Sequence, residues 1–151
     1  MNNIFSHVYN KHMNSSDIDR KIAVIFATDL VGYSKHMEKD ENATLLGLRE
    51  CNKIIEPLIK KQKGRIFNTG GDSVFAEFPS AVAAVNTAVE FQKQIKARND
   101  KDTTEVKLEY RIGINMGDVV KQGDANLMGD GVNVAARLEA LAQPGGITIS
   151  K

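Results

Sequence analysis

Ile22-Ala23-Val24-Ile25-Phe26-Ala27-Thr28-Asp29-Leu30-Val31-Gly32-Tyr33-Ser34 is the stretch from which the fold can be read. Its six unbroken apolar residues, Ile22 to Ala27, predict a strand buried on both faces, because a strand with one wet face alternates apolar and polar residues. Such a strand needs neighbours on either side and cover on its faces. The run ends at Thr28-Asp29, which places a carboxylate at the C-terminal end of a central strand. From there Leu30 to Ser34 leads towards a helix start.

Upstream, residues 1–20 are polar, with Ile4, Phe5, Val8 and Tyr9 at no regular period, and read as a leader or linker. His7 and His12 fall there, and no further ligand cluster joins them, so a metal site is not expected from them. Downstream, the polar stretch Glu38 to Asn42 precedes a helix with Leu45, Leu48, Ile55, Leu58 and Ile59 near one face. Pro57 is a candidate kink in it, Cys51 a half-buried thiol, and Gly64 its close. Arg65 to Asn68 and Val74 to Phe78 predict two strands, joined by the tight turn Thr69-Gly70-Gly71-Asp72-Ser73. Pro79-Ser80 starts a second helix, and Asn99 to Glu105 is a charged loop. Val106 to Asn115 predicts a strand, Met116-Gly117-Asp118 a turn, and Val119 to Lys121 a returning hairpin strand. Gly131 to Ala142 is a third helix ended by Gln-Pro-Gly-Gly, and Ile147 to Ser150 begins one more strand. The order is strand, helix, hairpin, helix, hairpin, helix, strand. It predicts an α+β fold, a mixed or antiparallel sheet covered by helices on one side.

The bulk numbers remove several functions. A chain of 151 residues with 42% hydrophobic and 26% charged residues suits one globular domain. A net charge of +1 without a basic block gives nucleic-acid binding no electrostatic support. No run of about 18 apolar residues occurs, and the start lacks the apolar core of a signal peptide, so a cytoplasmic domain is expected. A single cysteine excludes an internal disulfide. No Gly-x-x-x-x-Gly-Lys-Ser/Thr occurs, which argues against a P-loop, and His36 reads as a solvated helix residue rather than a general base.

Three features carry candidate chemistry. Asp29 and Asp72 converge if the hairpin lies beside the central strand, and two carboxylates brought together repel unless a cation intervenes. Hard oxygen ligands suit Mg²⁺ or Mn²⁺. Each aspartate also has a plain reading, an N-cap for Asp29 and a turn former for Asp72. The backbone amides of Leu30, Val31, Gly32, Tyr33 and Ser34 can cradle phosphate oxygens at a helix start. Asn133 and Arg137, four apart, share a helix face that Val134, Ala135 and Leu138 can anchor from behind. An amide beside a guanidinium suits a ribose oxygen and a phosphate, whereas the plain alternative is a solvated face.

Four segments together resemble the catalytic domain of class III adenylyl/guanylyl cyclases, most nearly the bacterial branch. They are Phe26 to Ser34, Gly70 to Ala81, Arg111 to Val119 and Gly129 to Glu139, in family order over residues 21–151. The resemblance implies the ferredoxin-like cyclase architecture, with Asp29 and Asp72 as ligands of two metal ions and Asn133 and Arg137 as the pair that orients ribose and stabilises charge at the reacting phosphate. It implies conversion of a nucleoside triphosphate, ATP favoured and GTP possible, to a 3′,5′-cyclic nucleotide and pyrophosphate. The site would form in a head-to-tail homodimer in which one subunit supplies the aspartates and the other Asn133 and Arg137. The base-recognition positions are Asn68 and Asn126, which match neither the adenylyl pair (Lys with Asp or Thr) nor the guanylyl pair (Glu with Cys). An amide both donates and accepts, so it does not choose a base by itself. The family domain usually continues for another strand pair carrying a triphosphate-binding lysine, and Lys151 is not assigned that role.

Overall fold

The computed structural model describes residues 18–101 and 106–151, so the reading of His7 and His12 and most of the proposed leader lies outside the described residues. The apolar run does form the centre of a sheet. Strand β1 (Arg20–Leu30) lies between β3 (Ser73–Phe78) and β4 (Tyr110–Gln122), antiparallel to both. β2 (Arg65–Gly70) continues the sheet beyond β3. β4 pairs on its other side with β5 (Asn126–Met128), antiparallel, and with β6 (Ile147–Ile149), parallel, giving a mixed and mainly antiparallel sheet. The helices are α1 (Tyr33–Lys39), α2 (Glu41–Lys61), α3 (Ala81–Lys101) and α4 (Asp130–Leu141).

The helices cover both faces of the sheet, not one. Val24, Phe26 and Leu30 of β1 pack with Leu48, Ile55 and Ile59 of α2 and Ala84, Ala88 and Phe91 of α3. Ala23, Ile25 and Ala27 point the other way and meet Val119, Leu127 and Ala135 of α4. That division is why β1 reads as an unbroken apolar run.

Local chemistry sets the helix ends. Asp40 caps α2 by accepting from the Ala43 amide at 3.0 Å, and Ser80 Oγ accepts from the Ala83 amide at 3.1 Å at the start of α3. α2 runs unbroken through Pro57. It closes with Lys63, at φ 57°, in the left-handed position assigned above to Gly64. The Gly64 amide donates to Ile59 O and the Lys63 amide to Lys60 O, the two bonds of a Schellman close. Gly64 is required for space instead: a Cβ there would sit 2.6 Å from the Phe78 ring. Cys51 is fully buried, and burial pushes its thiol above the ordinary value.

Met116-Gly117-Asp118 is not a turn. β4 continues straight through it, with Met116, Gly117 and Asp118 opposite Val24, Ala23 and Ile22, and the hairpin comes later, between Gln122 and Asn126. The glycine answers to packing, not to a reversal. Gly113 and Gly117 of β4 and Gly131 of α4 let helix and strand approach backbone to backbone, and Asn115 Nδ2 donates to Gly131 O at 2.9 Å. A Cβ on Gly113 would lie 2.3 Å from both Ala135 O and Glu139 N. Gly113→Ala is therefore expected to lift α4 and cost about 3 kcal/mol or more of stability, read from urea unfolding. A loss below about 0.5 kcal/mol would show that α4 is not held by this approach.

Candidate active site

Asp29 is the penultimate residue of β1, and Asp72 sits in the two-residue loop between β2 and β3, where Gly71 takes φ 57°. Because β3 is the antiparallel neighbour of β1, the β2–β3 loop comes beside the end of β1. The Asp72 carboxylate accepts from the Leu30 amide at 2.9 Å, one residue beyond Asp29. Burial pushes the Asp72 carboxyl above its ordinary value. The negative charge of Asp29 acts in the same direction, against the backbone amides of Leu30 and Asp72 and the charge of Arg111. The structure thus brings the two aspartates together.

Two further charged residues meet Asp29, and neither was singled out from the sequence. Arg111 of β4 is its register partner, with Nη2 at 3.6 Å from Asp29 Oδ1. Glu139 of α4, only 7% exposed, lies 3.3 Å from Arg111 Nε and within hydrogen-bonding reach of the Asp29 carboxyl. Asp29 Oδ1, Arg111 Nε and Glu139 Oε1 are nonetheless buried atoms without a hydrogen-bond partner. Burial first, then Asp29, pushes the Glu139 carboxyl up to about 8, with Arg111 opposing. The spacing Gly131, Ala135, Glu139, each four apart, marks the buried stripe of α4 and was the available signal. Val134 and Leu138, expected to anchor the helix, are only half-buried.

A folded Glu139 keeps its proton to a higher pH than in the unfolded chain, where its value is 4.5. The folded state then binds more protons across that window, so this contribution to stability is present below about 4.5 and is lost as pH rises to about 8. Glu139→Gln cannot ionise. Its melting temperature relative to the unsubstituted protein is expected to rise between pH 5 and pH 8, and a pH-independent difference would contradict the assignment.

A divalent cation fits Asp29 and Asp72. The donors are hard oxygens, one of them is buried without a partner, and the pair repels without a positive charge. Among the described residues no group of three or more His, Cys, Asp or Glu is arranged to hold a metal. Mg²⁺ typically keeps waters and substrate phosphates among its ligands beside one or two carboxylates. Of the five amides considered for phosphate, two are engaged: Leu30 with Asp72, and Val31 with Glu109 O at 2.8 Å. Tyr33 and Ser34 begin α1 after Gly32, at φ 67°, where a helix leaves its first amides without intrahelical partners.

Asn133 and Arg137 do not join the aspartates of their own chain. α4 turns Gly131, Ala135 and Glu139 to the sheet, which leaves Asn133 and Arg137 exposed on the far side. Among the described residues Arg137 meets Asp130, two helical turns back, at 3.9 Å with both side chains more than two-thirds exposed, a weak pair in solvent. Asn68 is exposed on β2. A register shift between Ile66 and Asn68 makes Asn68 the partner of Phe75, turning it to the face that carries Phe67, Phe75 and α4. Asn126 opens β5, with Nδ2 donating to Gln122 at 3.1 Å and Oδ1 accepting from the Leu127 amide at 2.9 Å. The Arg65 guanidinium donates to the Ala125 carbonyl, tying the start of β2 to the segment before β5.

Comparison with known proteins shows the family. Residues 14–151 match the model of the adenylate and guanylate cyclase catalytic domain. The chain belongs to that family. It is 45% identical over 139 residues to "Putative adenylate cyclase 3" of Rhizobium meliloti (strain 1021), covering 91% of this chain and 24% of that protein. It thus spans about a quarter of the length of that relative. Among solved structures it is similar to an adenylate/guanylate cyclase/hydrolase from Silicibacter pomeroyi, with a TM-score of 0.80 and 39% identity, covering 89% of this chain and 78% of the other. It is also similar to the adenylyl cyclase CyaB from P. aeruginosa, with a TM-score of 0.76 and 29% identity, covering 89% and 79%. These neighbours share the α+β architecture with its mixed sheet. No helix among the described residues is long and apolar enough to cross a membrane.

Proposed function

We propose that this domain converts ATP to 3′,5′-cyclic AMP and pyrophosphate in a head-to-tail homodimer, with Asp29 and Asp72 of one subunit facing Asn133 and Arg137 of the other. The observation that carries the reading is the Asp72 carboxylate hydrogen-bonded to the Leu30 amide beside Asp29, two acids brought to one spot from the end of β1 and the β2–β3 loop. In the reaction the ribose 3′-oxygen attacks the α-phosphorus of the same nucleotide, and pyrophosphate leaves. Two divalent cations, when bound, supply Lewis acidity for such an in-line displacement. Asp29 and Asp72 hold that charge at the end of β1. The amides at the start of α1 face incoming phosphate oxygens. Asn133 orients the ribose, and Arg137 neutralises charge that grows at the reacting phosphate. Because α4 buries the opposite stripe, neither residue reaches its own Asp29, which supports completion by a second copy. ATP is favoured by the relatives named as adenylate or adenylyl cyclases.

Asn68 and Asn126 favour a second reading, a cyclase-like domain that binds nucleotide and regulates a partner, because neither position carries a base-selecting side chain. Product formation from ATP and GTP with Mn²⁺ separates the two. Cyclic AMP from ATP supports the first reading, and tight nucleotide binding without turnover of either supports the second.

A further inference from the structure

Arg111 is anchored from two directions. The β1–β4 ladder sets it opposite Asp29, and α4 supplies an ion-pair partner, Glu139 Oε1 at 3.3 Å from Nε, and one hydrogen-bond acceptor, Ala140 O at 3.3 Å from Nη1. Its approach to Asp29, 3.6 Å from Nη2, is the longest of the three. Gly113 admits α4 closely enough to deliver Glu139 to this point, since any Cβ there would strike Glu139 N. A guanidinium offers five N–H donors in a rigid fork, so it can release one acceptor while keeping the others. The arrangement leaves a cation, Arg111, resident on the carboxylate that a divalent ion needs.

We infer that Glu139 is a positioning residue for the cation site: it gives Arg111 a second partner, so that the guanidinium can leave Asp29 when a divalent cation arrives. This rests on the reading of Asp29 as a cation ligand. Without Glu139, Asp29 is the one carboxylate left to the guanidinium among the partners named here, and the guanidinium competes there with the incoming ion. The Glu139 carboxyl places an oxygen 3.3 Å from Arg111 Nε, close enough for the guanidinium to turn to it. The inference also connects Asp29 to the helix whose outer face carries Asn133 and Arg137, because α4 presents Glu139 on one face and that pair on the other.

The test is a set of Mn²⁺ titrations, with Mn²⁺ as the only added ligand and the free ion counted by electron paramagnetic resonance, on the whole chain. Arg111→Met, which keeps the length and removes the charge, is expected to tighten Mn²⁺ binding about tenfold. Glu139→Ala is expected to weaken it about tenfold, and Glu139→Gln, which keeps an acceptor, to stay within about threefold of the unsubstituted chain. In the Arg111→Met background, Glu139→Ala is expected to change the affinity by less than about twofold, because the competitor it released is gone. Equal weakening by Glu139→Ala in both backgrounds would mean that the residue acts through its own charge, and would overturn the inference. So would an Arg111→Met protein that binds Mn²⁺ no tighter, a result that decides the matter even should Glu139→Ala fail to fold. Asp29→Asn is the control. If it leaves Mn²⁺ binding intact, the reading of Asp29 itself fails; if it abolishes binding while Arg111→Met tightens nothing, only the role of Glu139 falls.

Discussion

Asp29→Ala is expected to lower the rate of cyclic nucleotide formation about a thousandfold, roughly 4 kcal/mol of transition-state stabilisation, while the domain stays folded. The fold should survive because, among the described residues, the ionic partner Asp29 loses is Arg111 at 3.6 Å, the longest of that guanidinium's contacts, and Glu139 and Ala140 O remain to hold it. Asp72 needs a gentler change. Its carboxylate satisfies the Leu30 amide, so alanine would mix a structural cost with a chemical one. Asp72→Asn keeps an acceptor oxygen and removes the charge, and a loss of similar size is expected from it. Steady-state rates with saturating Mn²⁺ and ATP, beside circular dichroism of each variant, check both. Turnover within tenfold of the unsubstituted chain in either variant would remove that aspartate from the chemistry.

The second large effect concerns where Arg137 works. Arg137→Ala alone is expected to cost about a hundredfold or more in kcat, the scale found when a charge-stabilising donor is removed. Mixed in equal amounts with Asp29→Ala, itself inactive, it is expected to recover about a quarter of the unsubstituted activity. Half of the randomly formed dimers then contain one intact site, and the other site in each carries both defects. Such recovery follows only if the two residues reach a site from different chains. The exposed position of Arg137 on the face of α4 away from the sheet agrees with that. A mixture no more active than its components would place Arg137 and Asp29 in one subunit, or Arg137 outside the reaction.

The centre of the fold was legible because β1 is buried on both faces from Ala23 to Ala27, a demand that a continuous apolar run meets, although Ile22 at its start is exposed. The helix start at Ser80 was equally plain, and the cap Asp40 lies within the polar stretch Glu38 to Asn42, since short polar side chains there satisfy free amides. Gly117 and Gly64 misled for a shared reason. Glycine serves turns and close packing alike, and a sequence does not say which; Gly117 clears space for α4, and Gly64 for Phe78. The two-sided cover was hidden because Gly113, which lets α4 lie on the second face, looks like a weak point in a strand until the helix is placed.

At the site, the spacing of Asp29 and Asp72 from their strand ends was enough to bring them together once the hairpin was set beside β1. Arg111 and Glu139 were not legible, because their meeting depends on β1–β4 register and on the depth of α4, neither of which has a local signature. Asn68 was assigned as a base contact by resemblance alone. Its orientation depends on the bulge between Ile66 and Asn68, and simple alternation would have turned it to the opposite face.

A crystal grown with Mn²⁺ and a non-cyclisable ATP analogue tests the central claim most directly, by locating the ions through their anomalous scattering. The account predicts Mn²⁺ within roughly 2 Å of carboxylate oxygens from both Asp29 and Asp72 of one subunit, with the nucleotide's phosphates completing the shell. Mn²⁺ bound to the phosphates while either carboxylate stays paired as it is here, Asp29 with Arg111 or Asp72 with the Leu30 amide alone, would contradict it.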